Sequence, residues 1–177
     1  LTYVAAFEQG WTPATVLWDV PSEFPPSGDP FDTRPPYRPT NYDKQFHGPV
    51  SLRTALGNSY NVPAVKTLQF VGIYDNPSTK DKQEGLIALA ERLGITTLTR
   101  NDYGLSLTLG GGEVTPLELT AAFATFANGG VRVPPVFILK ITDANGGIVY
   151  ETTPPAPEQT VRPEHAYLIS HILSDNE

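Results

Sequence analysis

The chain has 177 residues, 40% of them hydrophobic and 18% charged, which suits one ordinary domain with a sizeable core rather than a disordered segment. Its 12 basic and 19 acidic residues leave a net charge of -7, and no Lys/Arg cluster is long enough to follow a phosphate backbone, so nucleic acid is not an expected partner. Cysteine is absent, which removes disulfides, thiolate metal sites and cysteine nucleophiles.

"LTYVAAFEQG" opens with helical periodicity already running at Leu1, Val4 and Ala5, and Gly10 supplies its C-terminal stop. Residues 20–49 are different material. Eight of the 18 prolines fall there, and neither a helix nor a central strand runs through such a segment. Phe24, Phe31, Tyr37, Tyr42 and Phe46 interleave with the prolines, so the expectation is an ordered, extended loop pinned by its rings. A polyproline II ligand is the alternative use of such a stretch.

Ser51 is a natural N-cap for a short helix with Leu52, Ala55 and Leu56 inward. After a polar break, "VPAVKTLQFVG" restarts with Pro63 in its first turn and a stripe of Val65, Leu68 and Val71 or Gly72. "STKDKQEGLIALAERLG" reads as the clearest helix, with Leu86, Ile87, Ala90 and Leu93 on one face and Gly94 at its end. The Gly110-Gly111-Gly112 run lacks the Gly-Lys-Ser/Thr ending of a phosphate loop, so a close backbone turn is expected. Thr115 to Glu118 fits a capping box with Pro116 at the first helical position, and Leu119, Phe123 and Phe126 are the expected buried face. Asn128-Gly129 ends that helix.

Residues 136–151 form the one good hairpin pattern, two apolar runs about an Asn-Gly-Gly turn. A second loop leads to a last helix near Pro163, with Ala166, Ile169 and Leu173 inward. The sum is about five helices and one hairpin, a mainly α chain with too little strand for a large sheet. The first helix is already running at Leu1, and the last apolar stripe stops near the end, so the chain reads as cut from something longer.

His47, His165 and His171 are scattered, and the spacing of the last two places them on different helix faces, so no metal or other cofactor is expected. No apolar run reaches the ~18 residues of a membrane span and no signal peptide is present, so an anchor would lie outside these residues.

The chemistry concentrates at "ALGNSYNVPAV", residues 55–65, where Ser59, Tyr60 and Asn61 interrupt two apolar helical runs. Serine acyl transfer needs a nucleophile, a base, a proton for the leaving amine and a grip on the substrate amide. A hydroxyl both accepts and donates a proton, and an asparagine amide can hold both ends of a peptide link. The same residues are preferred helix N-caps, each worth ~1 kcal/mol. The triplet alone favours the cap over the site. "SDN" at 174–176 repeats the letters after a helix and is read as structural.

The surroundings carry more. "RPTNYDKQFHGPVSLRTALGNSYNVPAVKTL" closely resembles the transpeptidase domain of class A penicillin-binding proteins in the run Pro39, Asn41, Tyr42 and Asp43. Gly48, Arg53, Ala55 and Leu56 continue the likeness, followed by Ser59 and Asn61 and then Val62, Pro63, Ala64 and Val65. "YVAAFEQGWTPATVLWDVP", "LTLGGGEVTPLELTAAFATFANGG" and "ILSDNE" extend it over nearly the whole chain. The family carries Ser-x-x-Lys, Ser-x-Asn and Lys-Thr-Gly in one active site. Here no serine has lysine three residues on, and Lys66-Thr67 is followed by Leu68. The resemblance implies a nucleophile before Leu1 and Lys-Thr-Gly beyond Glu177. It also implies the helical lobe of the β-lactamase/transpeptidase-like α+β fold, with a small hairpin and most of the central antiparallel sheet absent.

On that resemblance Ser59 relays a proton to the leaving group, Asn61 holds the amide of a stem peptide or a β-lactam, and Tyr60 lines the cleft. The implied parent cross-links peptidoglycan stem peptides on the extracytoplasmic face of a bacterial membrane, with a glycosyltransferase domain and anchor upstream. This chain alone is then inactive and prone to self-association through apolar faces on its first and last helices. A β-lactamase-like hydrolase and a non-catalytic peptidoglycan- or partner-binding homologue are the alternatives.

Overall fold

The computed structural model describes residues 1–76 and 84–175. Its first helix, α1 (Thr2–Glu8), is apolar all round and buries every residue from Thr2 to Phe7. A helix of that composition belongs inside a core, and α1 packs against α3 (Asn61–Val71), α4 (Leu86–Arg92) and α6 (Pro163–Leu173). Glu8 at its polar end meets Arg92 of α4 at 2.7 Å.

The strands β1 (Val16–Asp19) and β2 (Gly48–Ser51) pair antiparallel, with Val16 opposite Ser51 and Asp19 opposite Gly48. Alternation turns Leu17 and Asp19 inward and leaves Val16 and Trp18 outside. The proline-rich segment is the excursion between these two strands. Phe24 is buried and bridges Tyr37, but Phe31 and Tyr42 are exposed at 89% and 97%, so rings pin only the middle of the loop. Polar contacts hold its end.

Ser51 caps α2 (Leu52–Gly57) by accepting from the Thr54 amide. In α3 the spacing of Val62, Val65 and Leu68 puts three residues with no exposure on one face. The helix expected across 78–94 begins only at Leu86 where it is described, and residues 77–83 lie outside the described residues. Gly85 precedes it because the chain passes so close to Tyr74 that a Cβ would stand 2.4 Å from the Tyr74 carbonyl carbon. A 3-10 turn, Leu105–Leu109, packs on α3 and ends at Gly110, in the left-handed region at φ +92.

In α5 (Pro116–Ala127) Thr115 accepts from the Glu118 amide as expected. The Glu118 carboxylate turns instead to the Thr96 amide and the Thr96 and Thr97 hydroxyls, at 3.0, 2.7 and 2.6 Å. The helix buries Ala122, Thr125 and Phe126, whereas Leu119 and Phe123 line a surface groove, so the expected buried face is rotated toward α6. In α6 the inward residues are Ala166, Ile169 and Ile172, and Leu173 is half exposed.

Two further two-stranded antiparallel pairs complete the described residues. β3 (Val131–Arg132) pairs with β6 (Glu158–Gln159), and β4 (Lys140–Thr142) pairs with β5 (Ile148–Glu151) across a turn built on Asp143. The architecture is mixed α+β: six α-helices and three small sheets among the described residues. Among those residues no helix is long and apolar enough to cross a membrane.

Candidate active site

Four helices end in the same backbone device, in which the second residue past the cap donates to the carbonyl five positions back and the first donates three back. The residue between takes a left-handed conformation. In α1 it is Gly10 at φ +92, in α4 Gly94 at +92 and in α5 Gly129 at +62. In α2 it is Ser59 at φ +56, with Tyr60 donating to Ala55 O at 2.9 Å and Ser59 to Leu56 O at 3.1 Å. Serine there costs strain of order 1 kcal/mol or more that glycine would not. Gly57 stands two residues earlier and does not take that position.

The turn leads straight into α3, whose N-cap residue, Tyr60, makes no side-chain cap. The cap comes from the end of the proline-rich loop. Asn41 Oδ1 accepts from the Asn61 amide at 2.8 Å and the Val62 amide at 3.3 Å. Its Nδ2 donates to Asp19 Oδ2 and to Gln45 O, both at 2.8 Å. Asp19 has no exposure, and its Oδ2 also meets the His47 amide at 3.0 Å and His47 Nδ1 at 2.7 Å. His47 Nε2 faces Asp43 at 3.1 Å, and the His47 ring stacks on Tyr60 at 4.0 Å and 12°. Burial, with the carboxylates of Asp43 and Asp19 behind it, raises the Tyr60 phenol above its ordinary value.

The reading of Ser59 and Asn61 as helix caps is therefore not what the fold uses. Ser59 is exposed, and its hydroxyl has no hydrogen-bond partner among the described residues. Asn61 donates once, from Nδ2 to Thr40 O at 2.7 Å, which leaves a second N–H and Oδ1 for another group. Ser59, Tyr60 and Asn61 line one cavity of about 210 Å³ together with Leu1, Thr2, Tyr3 and Thr108. Thr2 and Thr108 join their hydroxyls across it at 2.8 Å. Tyr3 is buried, its hydroxyl has no partner among the described residues, and desolvation pushes that phenol well up. Lys66 donates to Trp18 O and is not among the residues lining the cavity.

Ser174 donates to His171 O and ends α6, and Asp175 pairs with Arg53; Asn176 lies outside the described residues. Asn41, Asp19, Thr40 and His47 carry no assigned role in the sequence reading. The sequence signals for them are Asn41 within the family-like run from Pro39 to Asp43 and an acidic residue on the inward face of β1, in "VLWD".

The family model for the penicillin binding protein transpeptidase domain matches residues 1–177. Penicillin-binding protein 1A of Aquifex aeolicus is 40% identical over 126 residues, 71% of this chain and 16% of that protein. Penicillin-binding protein 2D of Bacillus subtilis is 32% identical over 176 residues, 98% of this chain and 23% of that protein. The chain thus spans between a sixth and a quarter of the length of these curated relatives. The crystal structure of penicillin-binding protein 1A from Haemophilus influenzae superposes with a TM-score of 0.78 at 27% identity, over 97% of this chain and 28% of that one. Penicillin-binding protein A of Mycobacterium tuberculosis, solved as an imipenem acyl-enzyme complex, shares the fold at TM-score 0.72 and 22% identity, over 97% of this chain and 40% of that one. The chain belongs to the penicillin-binding protein transpeptidase domain family.

Proposed function

We propose that this chain is the helical lobe of a serine D,D-transpeptidase that cross-links peptidoglycan stem peptides and is acylated by β-lactams. One observation carries the reading. In a chain of this family, a serine occupies a helix end of the kind three other helices close with glycine, its hydroxyl has no partner among the described residues, and an asparagine amide with spare donor and acceptor shares its cavity.

Transpeptidation breaks a peptide bond of the donor stem, forms an ester on a serine and releases the terminal residue as an amine. A second amine then attacks the ester and restores the serine. The leaving amine needs a proton, and the Ser59 hydroxyl can pass one on while accepting another. Asn61 can accept the N–H of the scissile amide's neighbour on Oδ1 and donate its remaining N–H to a carbonyl. Tyr60, held flat by His47, forms a wall of the same cavity. A β-lactam ring offers the same carbonyl and stops at the ester, as in the imipenem acyl-enzyme of the tuberculosis relative.

The reading places the nucleophile and the Lys-Thr-Gly motif outside these residues, since neither pattern occurs in the chain. The complete protein acts on the extracytoplasmic face of the bacterial membrane, anchored by another segment. A fluorescent penicillin and intact mass spectrometry test this. The complete protein acquires one adduct on a serine outside the 177 residues, and the 177-residue chain acquires none. An adduct on Ser59 or any other serine of this chain overturns the relay role of Ser59 and the grip of Asn61. A complete protein without an adduct reduces the chain to a non-catalytic homologue.

A further inference from the structure

The cap of α3 is supplied across a sequence separation of 20 residues, by a buried side chain, although a serine and an asparagine stand beside the helix start. A local cap would consume the Ser59 hydroxyl or the Asn61 amide. Asn41 satisfies the same N–H groups from outside, and leaves the Ser59 hydroxyl and the Asn61 Oδ1 and second N–H out of the cap. Its amide faces two acceptors with its nitrogen and two donors with its oxygen, so its orientation is determined by its neighbours. Buried Asp19 fixes it from below, and His47 ties Asp19 to the ring of Tyr60. Thr40, the preceding residue, takes the one bond that the Asn61 side chain makes. Residues 40–47 therefore hold the 59–61 turn at its helix start, its amide and its ring.

We infer that Asn41 is a positioning residue of the Ser59–Asn61 site, with Asp19 and His47 as its support. The inference rests on the transpeptidase reading for what the turn does, and on geometry alone for how the turn is held. An aspartate at 41 would keep the acceptor but set a second carboxylate against buried Asp19, so an amide is the group that answers both neighbours.

The test uses the complete protein with Asn41→Ala. Acylation is followed with benzylpenicillin, whose side-chain amide Asn61 would grip, and with 6-aminopenicillanic acid, which lacks that amide. Amide hydrogen exchange is followed on peptides covering 59–64 and, as a reference, 116–127. A turn misplaced by about 1 Å slows benzylpenicillin by 10- to 100-fold. The preference for benzylpenicillin over the amide-less compound collapses with it, and exchange rises at 59–64 only.

A uniform rise in exchange with the preference intact makes Asn41 a structural residue and overturns the inference, as does unchanged exchange at 59–64. Should Asn41→Ala yield no folded protein, His47→Ala removes the ring from Tyr60 and the ring's contact with Asp19, keeps the residue-47 amide on Asp19 and the cap, and the same two readouts decide. A wild type that neither compound acylates defeats the transpeptidase reading, and the exchange comparison then decides the positioning role by itself.

Discussion

Ser59 is the residue where local preference and fold disagree. The first residue past the α2 cap must be left-handed for Tyr60 to reach Ala55 O, and glycine meets that requirement at α1, α4 and α5. A serine at this strained position, where glycine closes three other helices, fits the relay role proposed for it. Two substitutions separate strain from chemistry. Ser59→Gly relieves the left-handed backbone and raises stability by up to about 1 kcal/mol over Ser59→Ala, which keeps the strain. Both lose the hydroxyl, so both slow acylation of the complete protein by roughly 100-fold or more if the hydroxyl relays a proton. Denaturant midpoints and acylation rates for the pair check this, and a Ser59→Gly protein less stable than Ser59→Ala overturns the strain argument.

At the scale of the element, α5 shows a cap reused for a longer tie. Thr115 caps the helix, and the Glu118 side chain binds residues 96–97 rather than closing the box. The Thr97 hydroxyl, then the Thr96 hydroxyl and amide, hold the Glu118 carboxyl down to about 2 from its ordinary 4.5. A carboxyl depressed in the folded state contributes stability that is whole above about 4.5 and is lost as pH falls toward 2. Glu118→Gln should flatten the acid limb of a plot of melting temperature against pH between those values and leave the neutral-to-alkaline limb parallel to wild type. An unchanged acid limb shows that the tie adds nothing to folding.

At the scale of the molecule, the apolar surface expected on the first and last helices is present on the last alone, where Tyr167 and Leu173 are exposed. The first helix keeps no free face, because α3, α4 and α6 surround it. The hairpin about Asn145 carries more: Phe137, Ile148 and Val149 are 79%, 57% and 67% exposed, and among the described residues β4 and β5 pair only with each other. Exposed apolar side chains beside free strand edges favour association. The 177-residue chain should therefore show a sedimentation coefficient that rises with concentration, and the double substitution Phe137→Asp, Val149→Lys should abolish the rise. A wild-type chain that stays monomeric across the series refutes this.

What the sequence determines by itself is set by local physics. Ser51 and Thr115 cap helices, Gly10, Gly94 and Gly129 close them, and the apolar stripe of α3 buries as spaced, because each depends on neighbours within a turn or two. The family is legible for the same reason, in short ordered motifs. Tertiary structure decided the rest. Whether α5 buries Phe123 or Ala122 depends on where α6 lies, and amphipathic spacing cannot say which edge of a stripe meets its partner. The Ser59–Asn61 triplet carries the same letters whether it caps a helix or serves a site. Only the approach of Asn41, held on buried Asp19, settles that the cap comes from elsewhere, because a hydrogen bond between residues 20 apart leaves no periodic trace in the chain.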